Sequence, residues 1–489
     1  MRVRRSGMSM SVLLGAIVGL LCIASIPVTP TARAAEFSPT NTAELISAIE
    51  QANQSVEADI IRLTPGTTYL LDDVMNNAGL PDIASEIRIV GNGATIARDP
   101  NAGPLRIFYI TSSGDLTLEN VTISGGQVTN GGGIHNYHGD LTLIDSHITG
   151  NDVTGVGGGV YAEYGTLTVM NSVISGNTAG SGGAGISGLA ATMTVTDSTI
   201  LDNHAVTAGG GISVSAGSLN LSNSTMSGNT AGSYGGGAIT SYAGSVIVTN
   251  STLTGNSAGL GGAIRTYLGN LTLLNTTVSG NTATTAGGGV YTYDSTVVSN
   301  NSIVAANGAP TEVDMSNLLK VASGGNNLIG SSAGVVGLTN GVNGNKIGTP
   351  GSPLNPLLGQ LADNGGSTLT MAPLNGSQAI NAGNDALAPV ADQRGIARPF
   401  GAASDIGAVE FAISHDDLCD LTRQYINRES VANTACTMLG IAATAKQNGN
   451  TFMEQTALSN YRLQIQSAMG RRYVSTANGN ELIALSQML

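Results

Sequence analysis

His135, His138 and Asp140 lie close together in the chain and could set an imidazole beside a carboxylate, the pairing that general acid–base chemistry uses. Asp197 and Asp202 offer a second acidic pair, and glycoside hydrolysis needs two carboxyl groups roughly 5–9.5 Å apart. Each feature also has an ordinary reading, the histidines as solvent-facing loop residues and the aspartates as turn formers. A lyase acting on an acidic polysaccharide needs a base beside the uronate carboxylate and, as a rule, a bound cation to neutralise it. Between Arg106 and Lys320 the one Arg or Lys is Arg265, and the acids Asp140, Glu163 and Asp294 are scattered. No Ser-His-acid spacing, phosphate loop or metal-ligand cluster stands out, so no cofactor and no metal are expected.

Tyrosine gives a clearer pattern. Strand alternation places His135, Tyr161, Arg265 and Tyr291 in one outward column, and Tyr137, Glu163, Tyr242, Tyr267 and Tyr293 in the next. Six of the 13 tyrosines fall there, too many for a random surface. They either stack between strands for structural reasons or form a track for a glycan or peptide, because a phenol offers a flat apolar face and a hydroxyl with little entropy to lose.

These columns exist because residues 106–330 repeat every 25 to 27 positions, with starts at Gly114, Gly139, Gly165, Ala191, Gly217, Gly244, Gly269 and Ser295. Each unit reads as three short strands. Leu116 and Leu118, Ile123 and Ile134 begin the inward columns, which continue in step through Leu271 and Leu273, Val278 and Val290. Two polar columns run alongside, Asn120, Asp145, Asn171, Asp197, Asn223, Asn250, Asn275 and Asn301, and Asn151, Asn177, Asn203, Asn229, Asn256, Asn281 and Asn307. Asparagine can donate and accept along a ladder and tolerates left-handed turns. Glycine runs such as Gly131-Gly132-Gly133 supply the corners. The expected architecture is an all-β parallel solenoid, a β-helix with three strands per coil.

Composition agrees: 68 glycines, no tryptophan and 10% charged residues fit a repetitive coil better than an α/β enzyme. Residues 1–34 read as a secretory signal peptide, with Arg2, Arg4 and Arg5, an apolar stretch over 12–26 and Ala32-Arg33-Ala34 before an expected mature start at Ala35. Export to the cell surface or medium follows, with no further membrane-spanning segment. The net charge of −13 becomes more negative once those arginines are removed, which makes nucleic acid an improbable partner. Residues 35–105 are expected to hold a helical cap starting at Asn41 or Thr42 and the first coils, 331–411 the final coils, and 412–489 helices over 416–428, 431–446 and 452–469. Those helices either cover the last coil or act as a docking module. Cys419 and Cys436 are candidates for a disulfide between them.

The tetrapeptides Gly236-Gly237-Ala238-Ile239 and Gly261-Gly262-Ala263-Ile264 resemble those of pectate-lyase-like and polymorphic outer-membrane-protein β-helices, which implies a right-handed coil. Residues 355–411, with ADQRGIARPF at 391–400 and SDIGAVEF at 404–411, resemble a choice-of-anchor Q domain. That resemblance implies a secreted, often surface-attached bacterial protein. The chain departs from the pattern in showing neither an LPxTG-like motif nor a terminal apolar span with a basic tail. Adhesion, or binding of a polysaccharide or cell-surface protein, is the expected role. A polysaccharide lyase or glycoside hydrolase is the alternative.

Overall fold

The computed structural model describes residues 34–75, 78–318 and 322–489; the expected signal segment lies, but for Ala34, outside them. The coil at Asp140 shows how the repeat folds. Leu141 and Leu143 point inward from the strand Asp140–Ile144, Ile148 from His147–Thr149, and Val160 from Val160–Glu163, all essentially inaccessible to water. Corners fall at left-handed residues: Asp145 (φ 49°), Gly150 (φ 63°), Gly157 (φ 69°) and Tyr164 (φ 62°). At Gly157 an added Cβ would sit 2.7 Å from that of Tyr161, so glycine is required by space as well as by φ.

Successive coils pair in parallel, residue on residue, as in Leu141↔Leu167↔Met193↔Leu219↔Val246↔Leu271. The result is a solenoid of about 11 turns. Each buried aliphatic contributes roughly 1.5–3 kcal/mol, but only with a neighbouring coil to cover it. Beyond the three strands expected per coil there is a fourth ladder of two-residue strands, Gln127–Val128, Asp152–Val153, Thr178–Ala179 and His204–Ala205, the last three directly after a ladder asparagine. Two residues are too few for alternation to register in a sequence.

The two polar columns have different roles. Asn151 through Asn307 form a buried ladder in which each Nδ2 donates to the next Oδ1 at 2.9–3.0 Å, as from Asn177 to Asn203 and from Asn203 to Asn229. The same Oδ1 accepts the backbone N–H of the preceding asparagine, 3.1 Å for Asn177 on Asn203. The column from Asn120 to Asn301 instead supplies left-handed corners, with φ between 44° and 50°. A third column was not anticipated: Ser146, Ser172, Ser198, Ser224 and Ser251 are buried, and the backbone N–H of each of the first four donates to the next hydroxyl at 3.0–3.1 Å. At each corner the kink turns an amide away from ladder carbonyls, and a side-chain oxygen one coil on replaces them.

The expectation of final coils over 331–411 is corrected. The last coil pairing is Lys346–Ile347 on Leu328–Ile329, after which residues 355–411 run back along the solenoid as a strap. Asn384 N–H donates to Asn301 Oδ1 (2.8 Å), Asn250 Nδ2 to Ala391 O (2.7 Å), and Thr368 Oγ1 to Asn223 O (3.1 Å). Gln393 reaches Thr252, Thr225 and the Ser224 carbonyl. The strap explains why Asn250, Asn275 and Asn301 are buried while Asn120, Asp145 and Asn171 are exposed. Prolines 356, 373, 389 and 399 lack the amide a ladder requires. Within the strap, Asp392 binds Arg394 and Glu410 binds Arg398 in a buried network; burial beside Glu410 pushes Asp405 up to about 7.

Helix α1, Thr42–Ala52, is capped by the Asn41 side chain on Glu44 N–H and buries Leu45, Ala48, Ile49 and Ala52 in the apolar cluster of the first coils. The C-terminal segment forms four helices, α2 His415–Tyr425, α3 Glu429–Gln447, α4 Thr451–Gly470 and α5 Thr476–Leu485, one more than the sequence suggested. Cys419 and Cys436 are disulfide-bonded between α2 and α3. The bundle packs around Phe411 and Ile380 of the strap. Val335 and Leu338 pack against Val297, Ile329 and Ile347 in the last coil.

The ladder assignment is open to measurement. Asn229→Leu orphans the buried backbone N–H of Asn203, removes one of the acceptors of its Nδ2 and is expected to lower unfolding stability in urea by about 2 kcal/mol. Asn223→Gly, at an equivalent-looking asparagine on a left-handed corner, is expected to change it by less than about 0.5 kcal/mol.

Candidate functional site

Phe108–Ile110, Ile134–Tyr137, Val160–Glu163, Ile186–Leu189, Ile212–Ser215, Ile239–Tyr242, Ile264–Tyr267, Val290–Tyr293 and Met315–Leu318 form one parallel sheet of nine strands. Its inner face is filled by the isoleucine and valine column, so its second and fourth positions face outward. Register pairs Tyr109↔His135↔Tyr161 in one outward column and Tyr242↔Tyr267↔Tyr293 in the other.

The expected stripe resolves into two patches. His135, Tyr137 and Tyr161 meet at one end, with the His135 ring 4.8 Å from Tyr161 and 6.3 Å from Tyr137. Tyr242, Tyr267, Tyr291, Tyr293 and Arg265 meet at the other. Between them the outward positions are Ser187, Leu189, Ser213 and Ser215.

In the first patch Arg106 Nη1 lies 2.7 Å from His135 Nδ1, and His135 Nε2 lies 3.1 Å from Glu163 Oε2. A guanidinium can only donate, so Nδ1 must accept and the ring proton sits on Nε2, donated to Glu163. Burial, reinforced by Arg106, holds His135 down to about 4, and the imidazole is neutral at physiological pH with both nitrogens engaged. The residue is therefore a positioning group for Glu163 and has no free base to offer. The expected pairing of His135 with Asp140 is corrected: its carboxylate is Glu163, because adjacent coils bring those strands together, while Asp140 accepts from Thr166. His138 stacks on Tyr164 at 4.7 Å.

Asp197 and Asp202 occupy two successive left-handed corners (φ 50° and 53°), and Asp197 accepts from Ser367 of the strap at 3.3 Å. They act as turn residues. Arg106, Tyr109 and Glu163 were not singled out from sequence as site residues. One further backward step of the repeat, setting Phe108-Tyr109-Ile110 on Ile134-His135-Asn136, would have found Tyr109.

In the second patch the rings of Tyr242 and Tyr267 stack at 5.4 Å and 13°, and those of Tyr267 and Tyr293 at 5.3 Å and 9°. The Arg265 guanidinium lies 5.7 Å from the Tyr267 ring centre. Tyr242, at the open end of the stack, is 52% exposed. Burial pushes Tyr161 up to about 12 and raises Tyr291, so these phenols remain neutral hydrogen-bonding groups. Such a face can stack and hydrogen-bond. Among the described residues no cluster of three or more His, Cys, Asp or Glu could hold a metal, and no helix is long and apolar enough to cross a membrane.

Residues 106–272 match the family model for the right-handed β-helix region. No curated protein matches the chain. With the parallel register of the coils, the family match identifies the solenoid as a right-handed parallel β-helix.

The His135 arrangement carries a pH signature. Because its folded pKa of about 4 lies below the unfolded value of 6.5, its contribution to stability is complete above the unfolded value and is lost as pH falls towards the folded one. The His135 ring resonances are expected to stay flat by NMR down to about pH 5. A His135→Gln protein should show a shallower acid-induced loss of stability than the wild type.

Proposed function

We propose that this chain is an exported, surface-associated β-helix protein that binds an extracellular glycan, or a glycan-bearing surface, through the tyrosine face of its nine-stranded sheet. The observation that carries the reading is the Tyr242–Tyr267–Tyr293 stack beside Arg265, an ordered aromatic ledge on a rigid scaffold. Sugars present apolar faces and hydroxyls that such a ledge can stack against and bond. A preformed ledge also spares the entropy of ordering. Export is supported by the basic and apolar character of residues 1–34 and by the Cys419–Cys436 disulfide, which persists in oxidising compartments. Surface attachment rests on the choice-of-anchor Q resemblance of 355–411, and a bacterial source rests on the same resemblance. A cell-surface protein is the other partner compatible with a face rich in tyrosine and arginine.

Catalysis on extracellular polysaccharide, by a lyase or a glycoside hydrolase, has Glu163 as its best-placed group. That carboxylate is committed to His135, and Asp82, the other acid near Tyr109, interacts with Arg106.

Tyr242→Ala combined with Tyr267→Ala should abolish binding on a glycan array while leaving the thermal midpoint close to wild type; full binding by the double variant would make the stack purely structural. Incubation with pectin, alginate and glycosaminoglycans is expected to release neither unsaturated nor newly reducing ends. Release of either would move the function to catalysis.

A further inference from the structure

Arg265 differs from the other buried or half-buried arginines of the chain. Arg394 is paired with Asp392 and Arg398 with Glu410, Arg106 bonds His135, and Arg98 donates to the carbonyls of Gly125, Asp99 and Ala102. Arg265 forms no ion pair and no hydrogen bond among the described residues; its Nε is buried without a partner, as are those of Arg106 and Arg398, but unlike theirs its other nitrogens also lack one. Thr240 and Tyr291 flank it in its own column, and Tyr267 lies beside it in the next. The hydroxyl of Thr240 is already used, accepting from Gly236 N–H at 2.7 Å. Burial holds the guanidinium below its usual pKa range, and the neighbouring groups that oppose this are phenols, with no carboxylate among them. A half-buried cation that lacks a counter-ion is costly unless something outside the chain supplies one.

We propose that Arg265 seats a carboxylate or sulfate group of the glycan whose rings lie along Tyr242, Tyr267 and Tyr293. The inference rests on the glycan reading above and adds the chemical class of the ligand. The planar guanidinium matches two oxygens of either anion, and partial desolvation strengthens that pairing. The Tyr267 and Tyr291 phenols stand beside it as further donors. Since the chain is acidic overall, an anionic ligand gains nothing from long-range attraction and depends on local contacts such as that with Arg265. Glu312, near Tyr291, would repel the ligand once Arg265 was neutralised.

The test uses the full-length protein and three polymers of different charge: dextran, polygalacturonate and dextran sulfate. Wild type is expected to bind one or both anionic polymers and to leave dextran unbound, the preferred polymer distinguishing carboxylate from sulfate. Arg265→Gln should weaken that binding roughly ten- to hundredfold, Arg265→Lys should fall between, and both variants should melt as wild type does. Undiminished affinity of Arg265→Gln, or dextran bound as tightly as the anionic polymers, overturns the proposal and leaves the glycan reading standing. Retention of none of the three overturns it as well, and the array with the double tyrosine variant then decides the glycan reading separately.

Discussion

Every coil of this protein leaves backbone amides at its corners that only the next coil can satisfy. Parallel strands are spaced by about 4.8 Å, and the left-handed corners turn N–H groups away from the carbonyls that strand pairing would offer. Asparagine and serine side chains fill that gap one coil at a time. Because the ladders are buried, no water can substitute, and each coil's polar interior is complete only when its neighbour is in register. The asparagine ladder ends at Asp314, whose Oδ1 accepts from Asn307 N–H at 3.0 Å and from its Nδ2 at 3.1 Å. A carboxylate accepts but has nothing to pass on, so it terminates the ladder chemically.

The same register builds the outward face. Tyrosines at equivalent positions of adjacent coils are held one strand spacing apart, close to the separation at which rings stack in parallel, and the observed 5.3–5.4 Å follows from it. A face made in this way needs no loops to position it. It also leaves Arg265 without an ion pair or hydrogen bond among the described residues. The strap lies over a different corner of the coil, that of Asn250, Asn275 and Asn301, and the C-terminal helices pack on the strap.

Much of this was legible in the chain. Repetition at 25 to 27 residues gave the coil, its aliphatic columns and the stacked tyrosines, because a solenoid converts sequence period directly into spatial neighbourhood. The serine column was overlooked, since serine is common in turns and only burial distinguishes a ladder hydroxyl from a surface one. Glu163 was seen as an isolated acid until pairing of adjacent strands placed it against His135.

What the sequence by itself determined is whatever recurs: strand register, corner residues, the inward and outward sides of each strand, and with them the tyrosine face. What only the tertiary structure decided is whatever does not recur. The strap has no period, and its contacts with Asp197, Asn250 and Asn301 span roughly 80 to 170 residues, so no local pattern could announce that 355–411 turns back along the rod. Nor could spacing reveal which arginine lacks a partner, because that depends on every group packed around it.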